Sequence, residues 1–538
     1  MRNYYHILKF GRSKGHSISN KKWCHQSGST RSQHLLPHPQ KPSPPPPSHE
    51  SIFSTSLIYE NLKNIRDGTI SQHGRHQHHA RRLLTLNNLK FSDHEVLREP
   101  PDYLVLIKGR DVICASRSPK IEYWLPQSNL DLLLPQLDAG VFFCYKNMED
   151  MTPEAVVNII KNSLGVTLST FYPLAGEIVP NSQGEPEVLC NNKGVEFVHA
   201  HADVEFKTID LHHPDETVKG KLVPNVNCGV LSVQVTEFKC GTIIVSCAFD
   251  HRIVDAASIN MFLVAWAEFA RLRKISNVPS FRPSILNPRR PPHYNTIYDS
   301  LYVPVSSLPP PSLEEKLHSR IYYIRAKSIN QLQSEASTTK ETKRSKFQSF
   351  TAFVWKLIAQ ENPNATSRMG VVVSGREFLL PNHFGNILSV PYGMMSNQHL
   401  QEMPLTQVAN KVHEFVSEVR TEEHFRGLID WVELHRPEPA VARVYFKLKE
   451  NDGEAVVVSS GQSLPINNDM NFGWGKPYLG SYHFPWGGQT GYITTMPSAT
   501  KDGDWIVYAH LKQKHLDLIE SKARHVFNPV THSYLAFR

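Results

Sequence analysis

At 538 residues, with 40% hydrophobic and 20% charged residues, the chain is long enough for two or three domains with cores of their own, and its composition is ordinary for a globular protein. The formal charge of +8 is confined to one end: residues 1–49 hold eight Lys or Arg and no Asp or Glu, so the remainder is neutral. That removes the case for a nucleic-acid-binding fold, and no run approaches the roughly 18 to 20 apolar residues of a membrane span.

Residues 1–100 read as a disordered basic extension. Pro42-Ser43-Pro44-Pro45-Pro46-Pro47-Ser48 favours polyproline II, and Gly74-Arg75-His76-Gln77-His78-His79-Ala80-Arg81-Arg82 has no apolar period. An organelle transit segment, such as a plastid one, and an adventitious metal-binding tract are the alternative readings. The cysteines Cys24, Cys114, Cys144, Cys190, Cys228, Cys240 and Cys247 are widely spaced, with no CxxC pair and no secretory apolar segment. They predict reduced, buried thiols in a cytoplasmic protein.

The first ordered half is expected over 101–280. It opens with strands at Asp102–Ile107 and Gly140–Tyr145, then a helix from Pro153 through Leu164 with the proline in its first turn. Short strands follow near Val188-Leu189 and Val195–Val198, then Gly229–Phe238 and the β-branched run Thr242–Ser246, and a helix over Ile259–Ala270. Proline punctuation over 281–315 predicts an extended, solvated crossover. A second half, 316–538, carries strands at Arg320–Ile324 and Met369–Val373 and helices at Ser349–Ala359 and Leu405–Arg420. The mixture is α/β without the rhythm of a doubly wound sheet, and neither half carries a phosphate loop or metal-ligand spacing.

Chemistry concentrates at Cys247-Ala248-Phe249-Asp250-His251-Arg252-Ile253-Val254-Asp255. An imidazole delivered at a strand end, with a carboxylate four residues on, suits a general base whose turn is held by an acidic partner. With 28 histidines in the chain, chance supplies about one His-x-x-x-Asp pair, so the spacing alone decides nothing. A half-buried His beside a helix-capping Asp has the same pattern.

Other stretches supply the context. Leu168-Ser169-x-Phe171-Tyr172-Pro173-Leu174-Ala175-Gly176, Gln234-Val235-Thr236-x-Phe238-x-Cys240-Gly241, Phe384-Gly385-Asn386 and Asn471-Phe472-Gly473-Trp474-Gly475-Lys476-Pro477 accompany His251-x-x-x-Asp255 in order. Together they resemble the plant BAHD acyl-coenzyme A-dependent acyltransferases from about residue 101 to the end. Within that family, Phe249–Ile253, Asn129-Leu130-Asp131 with Val141–Tyr145, and Gly480–Gly488 look like the coniferyl alcohol acyltransferase branch.

The resemblance implies two chloramphenicol-acetyltransferase-like α/β domains of mixed sheet plus helices, joined by a long crossover loop, with a channel between them. It implies acyl-coenzyme A as co-substrate, a small alcohol as acceptor, no permanently bound cofactor, no metal, no nucleic-acid or membrane partner, and a monomer. His251 takes the catalytic role; Asp255, paired with Arg376, and Asn471, Gly473 and Gly475 support the site. Ser459 and Trp474 are the expected oxyanion donors, and Ser345, Lys346, Ser459 and Ser460 the expected coenzyme A contacts. The chain departs from the family pattern in Asn471, where an Asp is usual, and in Ala256, where a Gly is usual. Gly461 stands where many hydroxycinnamoyltransferases place Trp, which points away from a shikimate or quinate acceptor.

Overall fold

The computed structural model describes residues 103–536, except 118–121, 147–150, 228, 282–283, 310–314, 338–342, 450–451, 465–468, 487 and 500–501. The extension expected over 1–100, with its alternative readings, and Cys24 and Cys228 lie outside the described residues.

Two mixed sheets organise the chain. The six-stranded sheet runs, edge to edge, Val105–Ile113, Val195–Ala202, Leu231–Phe238, Ile243–Asp250, Asp138–Tyr145 and Leu479–His483. Only its second and third strands are parallel; the other neighbours are antiparallel. The seven-stranded sheet runs Tyr392–Ser396, Thr366–Val371, Glu454–Ser460, Gly491–Pro497, Trp505–Lys512, Leu317–Ile324 and Asn528–Pro529, with two parallel pairs at its centre.

The strand Ile243–Asp250 is buried at every position, which is why its apolar run does not alternate: both of its faces are covered. Helix Pro153–Leu168 starts where Thr152 Oγ1 accepts from Ala155 N at 3.2 Å. Its Val156, Ile160 and Leu164 pack in one core with Phe262 and Trp266 of helix Ala256–Leu272. There the indole Nε1 of Trp266 donates to Ser163 Oγ at 2.9 Å. A second core gathers Phe350 and Trp355 of helix Lys346–Ile358, Val456–Val458 and Trp431.

Two expectations need correction. The crossover is solvated only in part: many of its described residues are exposed, but Leu286, Tyr298, Leu301, Tyr302 and Val303 are buried. Tyr302–Pro304 forms a strand paired with Ala440–Ala442, and Arg289 Nε donates to the fully buried Asp430 at 2.5 Å. The prolines do break regular structure, but the aromatic and aliphatic residues between them still have apolar area to bury. One strand of the second half, Leu479–His483, crosses to pair with Asp138–Tyr145 of the first. Of the five described cysteines, all free, Cys144, Cys190 and Cys247 are buried but Cys114 and Cys240 are exposed.

Asp430 also accepts from the backbone N–H of Arg289 and of His293, so this carboxylate ties the crossover to helix Glu422–His435. Arg289→Ala leaves it without its cation, and because Arg289 is itself one-third exposed the expected cost is about 2 kcal/mol, below that of a fully buried pair. Equilibrium unfolding in urea checks this.

Candidate active site

His251 follows the last residue of the buried strand, and its turn is fixed from several directions. Its N–H donates to Leu137 O at 2.8 Å. Its carbonyl and that of Arg252 accept from Asn386 Nδ2 at 3.0 and 3.2 Å. Asn386 is in turn held by Asp131 Oδ1, which accepts from its N–H at 2.6 Å and its amide at 2.9 Å. Arg252 turns back onto Asp250, with Nη2 donating to Oδ2 at 2.6 Å. Neither Asn386 nor Asp131 received a role from the sequence. Both sit in the motifs quoted above, but only the fold brings residues 131, 251 and 386 together.

Asp255 does not reach the imidazole. Its Oδ1 caps helix Ala256–Leu272 by accepting from Ser258 N at 2.9 Å, and also accepts from Arg376 Nη2 at 2.6 Å. Its Oδ2 accepts from Ile387 N at 3.3 Å. Arg376 further donates to Ser258 Oγ and Gly385 O at 2.8 Å each and to His383 O. Burial pushes the Asp255 carboxyl up, but the guanidinium and the two backbone donors outweigh it, and the pKa lies below the usual value. Gly385 is required by this crowding: a Cβ there would stand 2.4 Å from His383 Nε2.

The imidazole of His251 stands apart from this network. Its Nδ1 is buried with no partner, and its ring, 6.0 Å from that of Phe484, stands in the wall of two cavities. One, about 510 Å³, is also lined by Ser345, Phe347, Arg376, Ser459, Ser460 and Tyr482. The other is a neck of about 60 Å³ between Leu137, Tyr302, Val390, Phe484, Trp486 and Tyr492. The neck shares Leu134, Pro135, Leu137, Val441 and Trp486 with an outer cavity of about 670 Å³ on the far side. The two larger spaces are of the size that holds small molecules and cofactor arms.

Of the expected oxyanion donors only Ser459 lines a cavity, where its hydroxyl shares a hydrogen bond with Tyr492. Trp474 stacks on Phe472 with ring centres 5.4 Å apart, meets Tyr145 edge-on, and is absent from the walls of all three cavities. Ser345 caps helix Lys346–Ile358 through a reciprocal pair with Gln348, which turns that helix N-terminus toward the 510 Å³ cavity and favours anions there. Lys346, at the first position of the helix, is not itself in the wall. Asn471 Oδ1 accepts from Gly473 N at 2.9 Å and Gly475 N at 3.0 Å. Both glycines have positive φ, +125° and +111°, so the loop closes on an acceptor oxygen that Asn supplies as well as Asp. Among the described residues no cluster of three or more His, Cys, Asp or Glu is placed to hold a metal, and no helix is long and apolar enough to cross a membrane.

Two mixed-sheet halves with an unpartnered imidazole between opposed cavities define a two-substrate group-transfer fold. Residues 104–526 match the model of the Transferase family, and the chain belongs to that family, the BAHD acyltransferases. It is therefore an enzyme that transfers acyl groups from acyl-coenzyme A to an acceptor. The chain is 25% identical over 440 residues to a shikimate O-hydroxycinnamoyltransferase of Nicotiana tabacum, covering 76% of this chain and 96% of that one. It is 26% identical over 373 residues to an omega-hydroxypalmitate O-feruloyl transferase of Arabidopsis thaliana, covering 65% and 78%. Among solved structures, vinorine synthase superposes with a TM-score of 0.60 at 21% identity over 79% of this chain and 99% of that one. F. graminearum TRI101 complexed with coenzyme A and deoxynivalenol gives 0.61 at 13% over 76% and 99%. At these identities the structures establish the fold alone.

Arg376→Met strips the cation from a buried carboxylate and is expected to cost about 3 to 5 kcal/mol in urea unfolding. Because the folded-state pKa of Asp255 is depressed, its stabilising contribution is complete above the ordinary carboxyl range of about 4 and fades as pH falls through and below it. Asp255→Asn should flatten that acid limb of a stability-versus-pH curve. In the loop, Asn471→Ala is expected to lower stability by about 1 to 3 kcal/mol and Asn471→Asp to leave it nearly unchanged, read by thermal unfolding.

Proposed function

We propose that the enzyme acylates the hydroxyl of a phenylpropenyl alcohol such as coniferyl alcohol, with His251 as general base. The observation that carries the reading is the position of His251 in a wall common to two cavities, with no protein group bonded to its buried nitrogen. The thioester enters through the 510 Å³ cavity, beside Ser345, Ser459 and Ser460, and Lys346 next to that helix start suits the phosphates. Acyl-coenzyme A is a co-substrate that leaves after each turnover. The acceptor comes through the neck, whose Tyr302, Tyr445, Phe446, Phe484 and Trp486 fit a flat aromatic.

An alcohol is barely ionised at neutral pH, so His251 takes the hydroxyl proton as the oxygen attacks the thioester carbonyl. The carbonyl electrons move onto oxygen, where Ser459 is the donor within the cavity wall. Collapse expels the thiolate, which recovers the proton from the imidazolium. No residue becomes acylated. Both halves of the site come from one chain, so a monomer suffices.

A second reading, a hydroxycinnamoyl-coenzyme A donor with another acceptor, is favoured by the activities for which the curated relatives are named. Thiol release from acetyl-coenzyme A with coniferyl alcohol, intact against His251→Ala, tests the first. A loss of about 10² to 10⁴ in kcat is expected on removing the base. Thiol release that needs no alcohol, or that survives His251→Ala, overturns the mechanism, and turnover with hydroxycinnamoyl-coenzyme A alone selects the second reading.

A further inference from the structure

The outer cavity holds a polar group that the mechanism does not use. His483, the last residue of the crossing strand, is only 3% exposed and lines that cavity, yet neither ring nitrogen has a hydrogen-bond partner. Its neighbours are already committed. Asp215 accepts from the N–H and the hydroxyl of Ser319, both at 2.7 Å, and that hydroxyl also meets His510 Nδ1 at 3.0 Å and Tyr508 OH at 2.9 Å. Tyr508 presents only its ring to His483, edge-on at 5.8 Å. A buried polar group without a partner is costly, so an orphan imidazole in a cavity wall is a place where a ligand atom gains a hydrogen bond.

Strand register places it relative to the chemistry. His483 pairs with Gly140, and Gly140 with Ala248, three residues before His251. Two strand spacings across and three residues along put the two Cα atoms on the order of 14 Å apart, with Val223 packed over the intervening Gly140. Tyr482, the preceding residue, faces the thioester-side cavity instead, as alternation along a strand requires.

We propose that His483 hydrogen-bonds the polar substituent at the far end of the acceptor, the ring hydroxyl of a phenylpropenyl alcohol, while the reacting hydroxyl lies at His251. This rests on the acceptor reading given above. Burial brings the imidazole pKa down to about 3, against the opposing pull of Asp215, so the ring is neutral and offers one donor and one acceptor. That matches a hydroxyl rather than a carboxylate. Asp138, in the same wall with its pKa pushed up to about 6 by burial and by Asp250, also works against an anionic acceptor. Lys219 at the cavity edge is the one cation in the described wall.

The test compares coniferyl alcohol with cinnamyl alcohol, which lacks the ring hydroxyl and methoxyl, by thiol release from acetyl-coenzyme A. The intact enzyme is expected to prefer coniferyl alcohol by roughly tenfold or more in kcat/KM. His483→Phe should bring that ratio to about one, mainly through KM, and His483→Gln, which keeps a donor and an acceptor, should hold most of the preference. Absence of preference in the intact enzyme overturns the proposal without any variant, and so does a preference that survives His483→Phe. Turnover of neither alcohol overturns the acceptor reading and this inference with it; turnover of both without discrimination overturns this inference alone.

Discussion

The buried pair of Arg376 and Asp255 is the constraint on which the rest of the site depends. Asp255 starts the helix that follows His251, and Arg376 comes from the other half of the chain. One carboxylate thus sets the turn after the imidazole and fastens the two halves at that point. Its cost of burial is met by a guanidinium and two backbone N–H donors. In the pattern His-x-x-x-Asp, then, the Asp sets the turn, while Nδ1 of the His has no partner among the described residues.

Asn386 extends the same arrangement. By holding the carbonyls of His251 and Arg252 and being held by Asp131, it ties the turn to residues 120 or more positions away on either side. The amide of Asn386 makes all three of these side-chain bonds at once only in this arrangement, which fixes the turn. Gly385 belongs to it for steric reasons, since no Cβ fits against His383.

The strand Leu479–His483 presents its side chains to different cavities. It leaves the second half to close the edge of the first sheet, and its alternation sends Tyr482 toward the 510 Å³ cavity and His483 toward the outer one. The next residue, Phe484, meets the His251 ring in the neck. Three consecutive side chains therefore line three spaces, and the chain that closes the sheet edge also forms cavity wall.

Much of this was legible from residue order alone. The β-branched run before His251, the helix after Pro153 and the capping Asp255 follow from local preference and periodicity, because a buried strand and a capped helix are specified by residues close to one another. The spaced motifs marked the family and singled out His251, which the fold places in the wall of two cavities. Tertiary structure decided what depends on long-range contact. It seated Tyr298 and Tyr302 of the crossover in a core, carried Leu479–His483 to the other sheet, set Trp474 among Phe472 and Tyr145 away from the cavities, and joined Asp131, Asn386 and His251. No local propensity encodes those placements: a strand is satisfied by any compatible edge, and an indole by any apolar partner, until the whole chain has chosen which surfaces to bury.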